Sequence, residues 1–206
     1  MRPVVAVAGL ILVPLATLPP SPLAAQTGQH AAALRILRTT PLVDGHNDIP
    51  DAVRERGGLD SVDLARPQPG LHTDIPRLRT GGVAAQFWAA FVPVATMEAG
   101  DTGTGPAVYA LEQIDLIHRL CHRHPDTFAP ALTAADIERN FRAGKISCLI
   151  GIEGGHALEN SLGALRMFYR LGVRYLTLTH WRTLDWADAA TDTARHDGLT
   201  PFGEAV

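Results

Sequence analysis

Three predicted strands constrain the fold of this chain most strongly, and the last two of them end in polar residues. They are GGVAAQFWAAFVP at residues 81–93, ISCLIGIE at residues 146–153 and VRYLTLTH at residues 173–180. Runs that are apolar throughout, rather than at every second position, are typical of strands buried on both faces of a parallel sheet. A shorter strand, PLVDGH, is predicted at residues 41–46.

Helical patterns separate these strands. We predict helices at residues 30–38, 106–124, 133–144 and 160–172, the third opening with a capping-box variant at Thr133 and Asp136. Residues 54–80 are rich in Gly, Arg, Asp and Pro and predict a long excursion from this pattern. The alternation of buried strands with helices predicts an α/β fold. We expect roughly the first four strand–helix units of a (β/α)8 TIM-like barrel.

The first 25 residues predict a secretory signal peptide. Arg2 precedes an apolar stretch from Val4 to Leu18, prolines and small residues follow, and we expect cleavage near Ala25. A membrane anchor is the alternative, but the prolines between positions 14 and 22 disfavour a full span of about 20 residues. We therefore expect residues 26–206 to form the mature domain of a secreted or periplasmic protein with no stable membrane anchor.

Charge and cysteine content limit the partners and the redox state. The formal net charge of −3 argues against a nucleic-acid partner, because such proteins normally carry a basic face. Cys121 lies in a helical pattern and Cys148 in a strand pattern. Export would permit a disulfide, but sequence does not supply the pairing geometry, and we expect two buried free thiols.

The segment TPLVDGHNDIPDAV, residues 40–53, places polar groups directly after an apolar run. His46 and Asp48 are two residues apart, so on an extended segment they point to the same side and could reach one cation together. The alternative is a turn, because Asp44, Asn47 and Asp48 favour turns and Pro50 interrupts the chain. This stretch alone leaves both interpretations open.

Two further predicted strands end in residues whose side chains could bind a metal or take part in catalysis. Glu153 ends a buried run before two glycines, and an unpaired carboxylate there is costly, so a metal would stabilise it. The alternative is a helix-entry acid with His156 as a bystander. His180 ends VRYLTLTH, where it could be a metal ligand, an acid or base, a donor to developing negative charge, or a structural histidine. In α/β barrels, functional groups gather at these strand ends.

A second histidine cluster is a weaker candidate. His118 and His122 share a helix face, which makes a zinc site conceivable. Arg119 and Arg123 beside them would repel a cation, so a solvated helix end is the favoured interpretation.

Seven stretches, taken in order, resemble the membrane (renal-type) dipeptidase family. They are DGHNDIP, GGVAAQFWAAFVP, LEQIDLIHRLC, GKISCLIGIEGGHAL, LGVRYLTLTH, WAD and GLTPFGEAV, and they cover nearly all of the chain after the predicted signal peptide. The resemblance implies a zinc peptidase on a metal-dependent-hydrolase barrel. Its implied reaction is the hydrolysis of dipeptides by a metal-activated water, without an acyl-enzyme.

The resemblance also implies a role for each candidate residue. His46 and Asp48 would hold the first of two Zn²⁺ ions, and Glu153 would bridge both. His180 would be a catalytic and substrate-binding residue that helps polarise the scissile carbonyl rather than a metal ligand. A dipeptide would be the substrate. The resemblance leaves open whether the full-length protein forms a homodimer.

The chain departs from the family pattern at several points. Asp51 stands where the family usually has Trp, and Arg182 takes the place of a cysteine that pairs in animal members. After the predicted signal peptide, 206 − 25 = 181 residues remain, whereas a full barrel takes about 250. The histidines of the second zinc have no counterpart here, since His196 lies in a polar loop. We therefore expect an N-terminal half that is inactive and poorly folded alone, with YLTLTH as an exposed apolar edge strand.

Two rival hypotheses remain. One is another metal-dependent amidohydrolase or deaminase on the same barrel, which the EGGHA and LTLTH motifs disfavour. The other is a non-catalytic secreted binding protein that keeps a half-site. Metal content separates both enzymes from the binding protein, and activity on dipeptides separates the two enzymes.

Overall fold

The computed structural model describes residues 22–98 and 104–206. The predicted signal peptide lies mostly outside these residues, so cleavage near Ala25 stays a prediction. The chain divides into two units, Met1–Ile36 and Leu37–Val206, and the sheet belongs to the second. Among the described residues, no helix combines the length and the apolar character that a membrane span requires.

Helices and strands alternate along the described residues. The helices are α1 (Pro22–Thr39), α2 (Ile49–Glu55), α3 (Ile75–Gly81), α4 (Pro106–Arg123), α5 (Ala134–Arg142), α6 (Leu162–Arg170) and α7 (Pro201–Ala205). The strands are β1 (Leu42–Asp44), β2 (Val83–Phe91), β3 (Phe128–Pro130), β4 (Ile146–Glu153) and β5 (Val173–Leu176). The last three predicted helices correspond to α4, α5 and α6, and the capping box of Thr133 and Asp136 is present at the start of α5.

All strand pairs in the sheet are parallel, so the predicted α/β fold class is confirmed. The strand order is β1-β2-β4-β3, and β5 also pairs with β4. The long central strands β2 and β4 are mostly buried, as their continuous apolar sequences predict. Because the strands are parallel, their carboxyl ends lie at one edge, and this edge carries the candidate site.

Alternate residues of β4 face two different layers. Cys148 and Ile150 belong to the main core cluster, which also contains the inner face of α4. Leu149 belongs to a smaller cluster with Ala85. By the same alternation, Glu153 shares the face of Leu149 rather than the face that packs against α4.

The expectation of two free thiols is wrong, because Cys121 and Cys148 form a disulfide between α4 and β4. Both cysteines are buried in the layer between the helix and the sheet, with their Cα atoms 6.5 Å apart. The indole Nε1–H of Trp88 donates to Cys148 Sγ at 3.2 Å. The sequence patterns placed Cys121 in a helix and Cys148 in a strand, but they could not give the position of α4 along β4, which decides whether the two sulfur atoms meet.

The segment after β1 also differs from its prediction. Pro50 does not interrupt the chain but lies in the first turn of α2, where a proline loses no helical hydrogen bond. The predicted excursion at residues 54–80 ends in α3, whose N-cap Asp74 accepts a hydrogen bond from the backbone N–H of Arg77. Leu64 and Leu71 of this excursion are buried in the main core, so the segment packs as part of the fold.

Two strands near the end of the sheet were predicted incompletely. β3 was not predicted, because it has three residues and includes Pro130. β5 stops at Leu176, so the predicted long edge strand over YLTLTH is wrong in length. Beyond it, the N–H of Thr177 still donates to the carbonyl of Ile152 at 3.0 Å, and this bond carries the chain toward His180.

Candidate metal centre

Three side chains meet at the carboxyl ends of the strands. His46 and Asp48 follow β1, and Glu153 is the last residue of β4. His46 Nε2 lies 2.8 Å from Asp48 Oδ1 and 3.3 Å from Glu153 Oε2. One ligand atom from each residue lies within 4.8 Å of the other two, so a single metal ion could contact all three. The spatial convergence that the sequence predicts is therefore present.

The loop between β1 and α2 is held in shape by its own polar side chains. The Asn47 amide donates to Thr73 Oγ1 at 2.9 Å, and its Oδ1 accepts a backbone N–H at the start of α2. The backbone N–H of His46 donates to Asp44 Oδ1 at 3.2 Å. The turn and the metal site, which were alternatives in the sequence, are one structure, since this turn presents His46 and Asp48.

Tyr175 of β5 orients the His46 ring. Its hydroxyl lies 3.0 Å from His46 Nδ1. Strand register places Tyr175 opposite Gly151, where an added Cβ would overlap the tyrosine ring, so glycine is required at 151. Burial, reinforced by the nearby Glu153 carboxylate, raises the pKa of Tyr175 to about 12. The hydroxyl therefore stays protonated at neutral pH and can hold the ring of His46. Sequence reasoning missed this residue.

His180 lies on the other side of Glu153. Its Nε2 is 3.3 Å from Glu153 Oε1, so the two histidines face different oxygens of one carboxylate. Phe91 packs edge-on against the His180 ring, and Trp181 stacks on it with ring centroids 4.8 Å apart. Trp181 has a φ of 59°, a left-handed conformation that turns the chain directly after His180.

The glycines after Glu153 allow a sharp turn. Gly154 has a φ of 117°, and a Cβ on Gly155 would overlap the carbonyl of Leu178. The Gly154 N–H donates to Thr177 Oγ1 at 2.8 Å, which ties this turn to the segment after β5. The turn therefore brings the chain that carries His180 close to the end of β4.

His156, a bystander in one interpretation of the sequence, is 5% exposed. Neither of its ring nitrogens has a hydrogen-bond partner among the described residues. Burial lowers its pKa, and the nearby carbonyls of Val92 and Pro93 offset this only in part. His156 is therefore a neutral side chain in the layer behind the site, outside the group of three that could hold a metal.

The other candidates lie outside the site. His118 Nε2 contacts the Leu171 carbonyl at 2.9 Å, and His122 Nδ1 contacts the His118 carbonyl at 2.7 Å. One nitrogen of each ring is therefore engaged by a backbone oxygen. His196 Nε2 likewise contacts the Leu184 carbonyl at 2.9 Å. These contacts support the interpretation that the three histidines are structural.

Asp51, which replaces the tryptophan of the family pattern, contacts α4 rather than the three ligand groups. Its Oδ1 accepts a hydrogen bond from Gln113 Nε2 at 3.3 Å. Burial raises the pKa of Asp51, and the Glu55 and Asp48 carboxylates raise it further.

The donor set at the three-residue cluster fits a metal ion. It combines one imidazole nitrogen with carboxylate oxygens, and zinc accepts both kinds of ligand. Two carboxylates that converge on one imidazole nitrogen repel each other, and a metal ion or a proton on His46 would offset this repulsion. The crowding of these groups around one point is compatible with a cation site.

A parallel α/β sheet with histidine and carboxylate groups at the carboxyl ends of its strands is the arrangement of metal-dependent hydrolases built on β/α barrels. The family model of the membrane dipeptidases, peptidase family M19, matches residues 30–206. The chain belongs to this family.

Curated relatives show the same similarity over most of this chain. Dipeptidase 3 of Mus musculus is 46% identical over 181 residues, which cover 84% of this chain and 35% of the mouse protein. Dipeptidase ataJ of Aspergillus terreus is 44% identical over 179 residues, which cover 84% of this chain and 42% of the fungal protein. The chain therefore spans well under half the length of these two relatives.

Solved structures agree with this assignment. A metallopeptidase from Rhodobacter sphaeroides, liganded with a phosphinate mimic of the dipeptide L-Ala-D-Ala, is 25% identical with a TM-score of 0.61, over 80% of this chain and 54% of that chain. A dipeptidase of family M19 is 26% identical with the same TM-score, over 80% of this chain and 52% of that chain. The matched portion corresponds to a partial TIM barrel.

Proposed function

We propose that this chain supplies the first half of a zinc-dependent dipeptidase site. The observation that carries the proposal is the meeting of His46, Asp48 and Glu153 at one point, with His180 on the far oxygen of Glu153. Membership of the membrane dipeptidase family supports dipeptides as the substrate class.

His46 and Asp48 would hold the first Zn²⁺, and Glu153 would bridge to a second. When bound, such ions lower the pKa of a shared water and orient it toward a carbonyl carbon. The roles of the protein side chains follow from their contacts. Tyr175 holds the His46 ring through Nδ1, which leaves Nε2 for the metal.

His180 is proposed as the residue that contacts the substrate. It is 17% exposed, it lies outside the group of three candidate ligands, and its ring is fixed between Phe91 and Trp181. A fixed imidazole N–H beside the metal could donate to the carbonyl oxygen as negative charge develops there. A role in substrate polarisation therefore suits this position better than a role as a ligand.

Export to an oxidising compartment is part of the proposal. The disulfide between Cys121 and Cys148 supports it, because such bonds are rare in reducing compartments. The N-terminal pattern of Arg2 followed by an apolar stretch supports the same compartment.

A phosphinate dipeptide mimic tests the proposal without requiring turnover. We expect a version that carries a complete site to bind the mimic in calorimetry when zinc is present and to lose this binding when EDTA is added. Absence of zinc binding would contradict the metal centre. Zinc binding without any affinity for the mimic, or for simple dipeptides, would instead favour a metalloprotein of another function.

The His180→Ala substitution separates catalysis from metal binding. In a version that carries a complete site, we expect turnover to fall by a factor on the order of 10² to 10³, as for removal of an oxyanion donor. Zinc content should stay unchanged. A loss of zinc in proportion to activity would show that His180 is a ligand.

The 206-residue chain alone is expected to lack efficient turnover. The resemblance implies a second pair of histidines, for which this sequence offers no candidate, so we propose that the chain alone would hold only part of the two-metal arrangement. Dipeptide hydrolysis and zinc stoichiometry, measured on the same preparation, check this expectation. Two bound zincs with clear turnover would contradict it.

A further inference from the structure

A cavity of about 410 Å³ opens beside the candidate metal ligands. Its walls come from the loop that carries His46 and Asp48, from one side of α2, and from the loop at residues 70–73. The lining residues are His46, Asn47, Asp48, Ile49, Ala52, Arg56, Gly70, Leu71, His72 and Thr73. The volume falls within the range of small-molecule sites, about 300–1,000 Å³.

The two ends of this cavity differ in chemistry. Asp48 is the N-cap of α2 and Arg56 is its C-cap, so the cavity follows the whole helix. A helix of seven residues is about 10 Å long. The end at Asp48 belongs to the metal centre, and the end at Arg56 is lined by a guanidinium.

Arg56 is fixed in place by two backbone oxygens. Its Nη1 donates to the carbonyl of Ala52 at 3.0 Å, and its Nη2 donates to the carbonyl of Gly70 at 3.3 Å. These bonds join α2 to the opposite wall of the cavity and hold the guanidinium across it. A guanidinium has five N–H donors, so others stay available for a ligand.

The charge balance of the cavity favours an anion. Asp48 is the sole carboxylate among the described lining residues, and the proposed metal would neutralise it. Arg56, an exposed residue on the cavity wall, would then be the dominant charge along the cavity. Arginine binds carboxylates with a planar fork of donors, which gives both strength and geometric specificity.

We propose that this cavity binds the side-chain carboxylate of an acidic dipeptide, with Arg56 as the specificity-determining residue. The inference rests on the proposed dipeptidase function and names a substrate class for it. The α-carboxylate carbon of a dipeptide is about 4 Å from the scissile carbonyl carbon, by bond lengths. An acidic side chain extends farther and therefore suits the distant end of a cavity about 10 Å long.

Paired dipeptides test this proposal. Gly-Glu and Gly-Gln have the same shape and the same α-carboxylate, so they differ in the side-chain carboxylate alone. With the zinc-loaded chain in calorimetry, we expect Gly-Glu to bind about tenfold more tightly than Gly-Gln, as a charge-assisted hydrogen bond predicts. Arg56→Gln should abolish the difference, and Arg56→Glu should shift the preference to Gly-Lys.

Matched variants separate specific from general effects. Arg119→Gln removes the same charge from an exposed site on α4 that does not line the cavity, and it should leave the Gly-Glu preference intact. Thermal unfolding of each variant shows whether loss of the Arg56 contacts loosens the loop. The preference for Gly-Lys in Arg56→Glu cannot arise from loosening.

Each alternative outcome is decisive. Equal affinity of the original chain for Gly-Glu and Gly-Gln overturns the proposed specificity and leaves the dipeptidase proposal in place. An equal loss of affinity for both peptides in Arg56→Gln assigns Arg56 to the α-carboxylate and overturns the inference. If zinc binds but neither peptide does, the proposed function itself fails.

Discussion

The two walls of the candidate site differ in how firmly the fold holds them. His46 and Asp48 follow the edge strand β1, and their side chains are 40% and 70% exposed. Glu153 ends the central strand β4, is 18% exposed, and lies between two histidines. The difference indicates that Glu153 forms the fixed part of the site, whereas Asp48 can adjust to the ion.

The largest effect expected from this comparison is the loss of Glu153. Glu153→Gln keeps the shape but removes the charge between His46 and His180. We expect zinc affinity to fall by a factor on the order of 10³, beyond the 10–100-fold typical of residues that support ligands. Asp48→Asn should lower zinc affinity by a smaller factor, on the order of 10², because water can replace the lost ligand at this exposed position.

Calorimetric zinc titration measures both effects. Glu138→Gln, an exposed acid on α5, is the matched control and should leave zinc affinity unchanged. A greater loss of zinc affinity for Asp48→Asn than for Glu153→Gln would show that Asp48, and not Glu153, is the fixed ligand.

A smaller effect is expected from Tyr175→Phe. The variant keeps the ring over Gly151 but removes the hydroxyl that contacts His46 Nδ1. Zinc affinity should fall about tenfold, at the lower end of the effect of a residue that orients a ligand, with little change in thermal stability. Tyr169→Phe, on an exposed ring, is the control. Unchanged zinc affinity in Tyr175→Phe would show that His46 binds zinc without support from Tyr175.

The smallest effect concerns pH and the buried His156. Burial lowers its pKa in the folded chain, so the unfolded chain binds a proton at higher pH than the folded chain does. Stability should therefore be greatest above about pH 6.5, the ordinary histidine pKa, and should fall as the pH drops below it.

The free energy of unfolding between pH 7 and pH 5 tests this expectation. His156→Gln removes the titrating group and should flatten the slope. A residual slope is expected from His124, whose pKa burial also lowers. An unchanged slope in His156→Gln would show that His156 does not contribute.

The strands and helices that the sequence predicted well are those with continuous or periodic apolar patterns. β2, β4 and α4 are long enough for the pattern to dominate, and their predicted order in a parallel α/β fold is correct. α2 and β3 were missed because seven and three residues are too few to show a period, and each contains a proline. The prolines were compatible with these elements because one lies in a first helical turn and the other at a strand end.

The site was predictable where chemistry follows directly from a strand end. His46, Asp48 and Glu153 were expected to converge for this reason, and they do; their role as ligands remains a proposal. Tyr175 and the Cys121–Cys148 bond depend on how neighbouring elements are shifted along each other. The role of Tyr175 could have been inferred from Gly151, which leaves room for the tyrosine ring, but only the strand register shows that these two residues lie opposite each other.

The most direct test of the central claim is the location of bound zinc. Anomalous diffraction at the zinc edge, from crystals of the chain grown with zinc, should show an ion about 2.0–2.2 Å from His46 Nε2 and from oxygens of Asp48 and Glu153. Zinc bound instead at His118 and His122, or the absence of an ion at the carboxyl ends of β1 and β4, would contradict the account.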